Sequence, residues 1–118
     1  MTSELFSAIY NKALDILSRR EHSVLELKQK LKKKYEIEDD IEETISRLKK
    51  NNLLNDYRFS ESYVVYRKRK GFGPVKISKE LESKGVAEVI IFEVLDNEGG
   101  WVEAANKAFS KRFKEGPS

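Results

Sequence analysis

The chain contains no cysteine. That excludes a disulfide scaffold, a cysteine nucleophile and any thiolate metal site. Histidine occurs once, at His22, so no second imidazole is available for a metal, and no serine has a plausible histidine and carboxylate partner. No stretch approaches the roughly 18 uncharged apolar residues that a membrane span needs. The first residues lack the basic region and apolar run of a signal peptide. Glycine and proline are scarce and lopsided: all six glycines and both prolines follow residue 70. These absences leave no case for an enzyme, a cofactor site or a membrane protein. They fit a reducing cytoplasm, and a cytoplasmic location is expected.

What is present is charge and helical periodicity. The 118 residues include 23 Lys and Arg and 20 Asp and Glu, a net charge of +3 with 36% of residues charged. That length fits one domain, or a few small units sharing one core. Seventy residues without Gly or Pro, rich in Leu, Lys and Glu, favour helix. A first helix is expected over about residues 3–19, with Leu5, Ile9, Ala13, Ile16 and Leu17 on one face. A second starts at Ser23, where Ser23 and Glu26 have capping-box spacing, and carries Leu27 and Leu31. A third is expected to begin near Asp40, which stands at cap spacing from Glu43, with Ile41, Ile45 and Leu48 as its stripe and Asn51-Asn52 closing it. Asn55 or Asp56 caps a fourth helix bearing Phe59, Tyr63 and Tyr66, and Pro74 opens a fifth with Ile77 and Leu81, ended by Gly85. Residues 86–95 are rich in β-branched side chains and suit a strand as well as a helix. Residues 101–113 predict a seventh helix, anchored by Trp101.

An internal repeat decides the ambiguous segment. At an offset of 50 residues, Arg19-Arg20 falls on Arg69-Lys70, Leu27 on Ile77, Leu31 on Leu81, Ile41 on Ile91 and Ile45 on Leu95. Residues 86–95 therefore take the helical state of their partner. The expected fold is all-α, built of tandem three-helix repeats in an elongated, curved array. The expected divisions are residues 1–54, residues 55–99, and residues 100–118 as the first helix of a truncated third repeat. Charge order repeats too. Residues 19–34 carry seven basic side chains against two acidic, and residues 67–84 do the same. Residues 36–43 and 85–103 are acidic with no basic member. Stacked units would align the basic portions into a ridge that the small net charge hides.

The sharpest motif is Arg67-Lys68-Arg69-Lys70 before Gly71-Phe72-Gly73-Pro74. Four cations in the last turn exceed what complementing a helix dipole requires. With Tyr63, Tyr66 and Phe72 interleaved, the run points to a polyanion or an acidic protein surface. Gly71-x-Gly73 lacks both the third glycine of a dinucleotide loop and the Lys-Ser/Thr of a P-loop, so it reads as a tight turn. The acidic run Glu38-Asp39-Asp40 with Glu42-Glu43 lacks the spacing of a calcium loop and suits a helix start. His22 reads as part of a helix–helix corner.

Residues 8–97 resemble the regulatory protein RecX family, bacterial modulators of the RecA recombinase. The resemblance rests on Arg19-Arg20-Glu21-His22-Ser23 with Glu26-Leu27 and Lys30-Leu31, on Leu53-Leu54-Asn55-Asp56, and on Asp56-Tyr57-Arg58-Phe59 leading to Arg69-Lys70-Gly71-Phe72-Gly73-Pro74. It implies tandem three-helix units that bind along the groove of the RecA–single-stranded DNA filament. There the family acts in recombination and DNA repair, inhibiting filament growth, ATP hydrolysis and strand exchange without catalysis. Its pattern has three units, whereas here the third is a single helix and a short tail. The resemblance marks Arg19, Arg20, Arg58, Arg67, Lys68, Arg69, Lys70 and Lys76 as partner or DNA contacts. The expected partners are the RecA filament and single-stranded DNA, with double-stranded DNA left open; a monomer is expected, and no metal or other cofactor. The same cations leave a second reading open, a DNA-binding helical module that acts without RecA.

Overall fold

The computed structural model describes residues 4–101. In order, the helices are α1 (Glu4–Arg19), α2 (Val24–Lys34), α3 (Glu38–Lys50), α4 (Asp56–Arg69), α5 (Pro74–Ser83) and α6 (Glu88–Glu98). The described residues contain no strand, so the β-branched residues of α6 are helical as the repeat requires. The expected seventh helix, beyond Trp101, lies outside the described residues.

Local chemistry explains most of the boundaries. The Ser23 hydroxyl accepts from the Glu26 amide at 3.1 Å, and the Glu26 carboxylate accepts from the Ser23 amide at 3.1 Å, completing the capping box of α2. The Asn55 side chain caps α4 by accepting from the Arg58 amide at 2.9 Å. Pro74 opens α5, where a missing amide hydrogen leaves nothing unpaired. Asn52 turns the chain out of α3 at φ 58°, a conformation Asn tolerates. One start differs from expectation. α3 begins at Glu38, two residues before Asp40, behind Ile37, and with no side-chain cap. Glu38, Asp39 and Asp40 together fill its first turn, and their charges stabilise the helix dipole in place of a cap.

The six helices form two three-helix units, each with a core of its own rather than one shared core. Ile9, Ala13, Leu27, Leu31, Ile41, Ile45, Leu48 and Leu54 cluster in the first. Phe59, Val64, Ile77, Leu81, Val86, Ile91 and Val94 cluster in the second. In both, the long first helix packs chiefly on the third. The offset of 50 holds in three dimensions: Leu27 and Ile77, Leu31 and Leu81, Ile41 and Ile91 are buried pairwise. It also extends to the first helices, where Ile9 and Phe59 are buried at matching positions. Each fully buried aliphatic side chain contributes about 1.5–3 kcal/mol. The result is elongated, with extents of 62 × 26 × 20 Å and a radius of gyration of 17.8 Å, against roughly 13 Å for a compact domain of about 100 residues.

The units meet through polar groups. Asp56 at the start of α4 accepts from the Val24 amide at the start of α2, at 2.7 Å. Lys84, just past α5, reaches Glu26 at 3.1 Å. Arg58 pairs with Glu21 and donates to the Asn52 carbonyl at 2.9 Å. Next to Lys84, Gly85 (φ 80°) comes so close to α2 that a β-carbon there would sit 2.8 Å from Leu25 Cβ. Only glycine allows both that conformation and that approach.

Candidate nucleic-acid interface

The residues of the basic run separate into two kinds. Arg67 turns inward. Its guanidinium grips Glu80 through two bonds of 2.8 and 2.7 Å and stacks over Phe72 at 3.9 Å from the ring centroid. The Arg67 hydrogen bonds hold the Glu80 carboxyl below the usual carboxylate range. Burial, with the bond from its hydroxyl to Glu80, raises the Tyr63 phenol. Lys68 also turns inward, donating to the Gly99 carbonyl at 2.7 Å and lying 5.2 Å from the centroid of Trp101. It thereby satisfies the end of α6, where carbonyls are otherwise unpaired. Trp101 is half-buried and donates from Nε1 to the Leu95 carbonyl at 2.7 Å.

Arg69 and Lys70 are exposed and form no ion pair among the described residues. Lys70 lies over the Tyr66 ring, 5.1 Å from its centroid. Lys76, near the start of α5, is exposed and likewise unpaired among the described residues. Arg19 makes an exposed pair with Asp15 at 3.3 Å, an interaction too weakly held to withhold it from a partner. Arg20 and Arg58 belong to the junction between the units. Arg20 binds Glu26 through two bonds of 3.3 Å and donates to the Glu21 carbonyl at 2.8 Å.

Glu26 is the centre of that junction. Burial alone would raise its pKa, but bonds from Arg20, the Ser23 amide and Lys84 outweigh burial and hold the carboxyl at about 2. Behind it lies His22, buried, with Nδ1 at 2.9 Å from the Arg20 carbonyl and Nε2 at 2.7 Å from the Lys30 ammonium. A carbonyl only accepts, so Nδ1 carries the proton and Nε2 accepts from Lys30. Burial and the neighbouring Arg20 and Lys30 charges lower the His22 pKa, and the ring stays neutral at pH 7. The corner expected of His22 is therefore a hydrogen-bonded one. No group of His, Asp or Glu that could hold a metal occurs among the described residues.

A cleft of about 420 Å³ opens between the units, lined by Arg20, Glu21, Glu26, Phe59, Ser62, Tyr63, Tyr66 and Lys84. The structure thus brings Arg20 into one site with Tyr63 and Tyr66, and Lys70 beside Tyr66. Arg67, Lys68 and Arg58 are committed to internal contacts. Lys84 was not legible as a member of this site. It counted as one of seven like charges, and nothing in its neighbourhood shows that it crosses to Glu26.

Comparison with known proteins agrees with the architecture. Residues 10–48 match the RecX first three-helix domain, and residues 55–95 match the RecX second three-helix domain. The chain is 41% identical over 109 residues to the regulatory protein RecX of Haemophilus influenzae (strain PittEE), covering 91% of this chain and 72% of that one. It is 38% identical over 106 residues to the regulatory protein RecX of Legionella pneumophila (strain Corby), covering 89% and 71%. The crystal structure of RecX from Lactobacillus salivarius superposes with a TM-score of 0.78 at 27% identity, over 95% of this chain and 77% of that one. A second crystal structure, of a regulatory protein RecX, shares the fold with a TM-score of 0.80 at 24% identity. The present chain covers 96% of its own length in that match and 59% of the other. With both three-helix domains matched in order and relatives aligned over nine-tenths of its length, the chain belongs to the RecX family of regulatory proteins.

Proposed function

We propose that this chain regulates homologous recombination by binding the RecA–single-stranded DNA filament, where it lowers ATP hydrolysis, filament growth and strand exchange without catalysis of its own. The observation that supports this most is the set of cations left open on a family scaffold. Arg69, Lys70 and Lys76 have no ion pair among the described residues, and Arg19 has only an exposed one. Unpaired cations on an elongated body suit a long polyanionic partner, whose phosphates release counterions on contact. Arg67, Lys68, Arg58 and Arg20 act indirectly on this reading, by holding the two units and the basic turn in place. The protein works as a cytoplasmic monomer.

The test is a titration of RecA's DNA-dependent ATPase with the folded protein. The activity falls at sub-stoichiometric to stoichiometric amounts. An unchanged ATPase and unchanged strand exchange over that range would sink the proposal. The cleft between the units favours a second reading, DNA binding without RecA. That reading expects single-strand binding that weakens steeply with added salt, and undetectable binding at low salt rejects it.

A further inference from the structure

We propose that the cleft between the two units takes one unpaired base of a single strand, stacked on the ring of Tyr66. This rests on the reading that the protein meets single-stranded DNA, and it names the part of the nucleotide each side chain meets.

The cleft has three aromatic rings, and of these only Tyr66 is exposed. Phe59 is buried and packs against Tyr63 at 5.6 Å between centroids. Tyr63 is tethered through its hydroxyl to Glu80 at 3.1 Å, with the Lys84 ammonium 5.4 Å from its centroid. Tyr66 is 53% exposed. The Lys70 ammonium lies over its ring, 5.1 Å from the centroid. An open tyrosine ring beside a cation is the pairing that single-strand binders use: the base stacks on the ring and the cation meets the backbone.

The charged side chains of the cleft are engaged with one another, which leaves the aromatic wall to meet the base. Arg20 and Lys84 both bond to the one Glu26 carboxylate, and Glu21 is taken up by Arg58. Each lining cation would have to leave its bond to Glu26 to meet a phosphate, and the two carboxylates oppose one. The lining does offer acceptor oxygens for the amino group of a base and a flat apolar wall. A volume of about 420 Å³ is within the range of about 300–1,000 Å³ typical of pockets that take small-molecule-sized groups. Phosphates stay outside, where Lys70 is unpaired. A duplex keeps its bases stacked on both faces and offers none, so the cleft distinguishes single from double strands.

The experiment compares two labelled probes of equal length and charge: a mixed-sequence DNA single strand and a fully abasic strand, bound to the intact protein and read by fluorescence anisotropy. The wild-type protein binds the base-bearing strand about tenfold tighter than the abasic one, within the roughly 5- to 150-fold that one stacked base supplies. Tyr66→Ala closes that gap while leaving the abasic affinity unchanged; Tyr66→Phe keeps it, because stacking needs the ring and not the hydroxyl. Both variants melt with the wild type, since the ring is exposed. Equal binding of the two strands by the wild type, or a gap that survives Tyr66→Ala, overturns the base site while leaving DNA contact intact. Absence of binding to either strand overturns the DNA reading together with the base site. RecA ATPase inhibition, measured alongside, shows which has failed.

Discussion

The carboxylate of Asp56 accepts the amide hydrogen of Val24 at 2.7 Å, so the first turn of one unit's long helix caps the second helix of the other. The start of a helix leaves amides without partners, and here one is satisfied across 32 residues of sequence. Burial raises the Asp56 pKa, and the Val24 amide only partly opposes it. The folded state therefore binds the Asp56 proton more readily than the unfolded chain, a contribution present at low pH and lost as pH rises through the raised pKa. Asp56→Asn keeps the acceptor and removes the buried charge, so it stays within about 0.5 kcal/mol of wild type or gains stability at pH 7. Asp56→Ala leaves the amide unpaired and loses about 1–2 kcal/mol. Urea denaturation of the two variants separates these outcomes, and equal losses in both would refute the cap.

Glu26 and His22 give the junction two windows of acid sensitivity. Glu26 has its folded pKa lowered from 4.5 to about 2. Its contribution is present above the unfolded value and fades as pH falls from about 4.5 toward 2. His22 has its folded pKa lowered from 6.5. The unfolded chain takes up that proton first, so stability falls as pH drops below about 6.5. His22→Gln flattens the stability curve just below pH 6.5. Glu26→Gln flattens the lower window and costs about 1–2 kcal/mol at pH 7, discounted for solvent screening. Glutamine preserves the capping box, so this loss belongs to the bonds to Arg20 and Lys84. Small-angle scattering of Glu26→Gln shows a larger radius of gyration as the units loosen. Thermal melts across pH are the direct check, and identical curves for wild type and both variants would defeat the assignment.

Much of this architecture was legible in the sequence because its signals are local. Ser23 and Glu26 sit three residues apart, Pro74 follows Gly73, and the offset from Leu27 to Ile77 and from Leu31 to Leu81 needs only counting. The start of α3 was not legible, since Ile37 carries no capping side chain and a cluster of charges sets the boundary diffusely. The site was less legible than the fold for a related reason. Arg67, Lys68, Arg69 and Lys70 are consecutive cations, but a helix turns by about 100° per residue. They therefore face different surroundings: Arg67 finds Glu80, Lys68 finds the end of α6, and Arg69 and Lys70 find solvent. Those partners lie 13 and 31 residues away, beyond any local pattern. The interleaved aromatics divide the same way, with Tyr63 tethered and Tyr66 open.

Gly85 is a point of close approach between the units. A side chain there would occupy φ 80° and press a β-carbon to 2.8 Å from Leu25 Cβ, the near and inflexible end of that side chain. Gly85→Ala loses about 2–4 kcal/mol, combining left-handed strain with overpacking. Adding Leu25→Ala does not relieve the Cβ contact, since alanine keeps that atom, and does not relieve φ. Adding Leu25→Gly removes the contact and recovers only the packing share, at a further loss from glycine inside α2. A Gly85→Ala protein as stable as wild type would show that the units do not approach each other this closely in solution.

Charge reversal within the basic run separates holding from binding. Arg69 and Lys70 have no ion pair among the described residues, so Arg69→Glu with Lys70→Glu leaves the melting temperature nearly unchanged. If phosphates are the partner, that double variant binds single-stranded DNA at least tenfold more weakly at low salt, with a shallower dependence on salt, because fewer counterions are released. Arg67→Ala and Lys68→Ala behave in the opposite sense. The first leaves Glu80 with only the Tyr63 hydroxyl and uncovers Phe72, and the second strips the end of α6 of its donor. Each lowers the melting temperature, and each weakens binding only to the extent that the turn at residues 70–73 is displaced. Lys68→Arg is the control, since it retains the charge but not the geometry that reaches the Gly99 carbonyl. If all four positions alter affinity alike without altering stability, the run is a uniform polyanion contact, and the division between inward and outward cations does not govern binding.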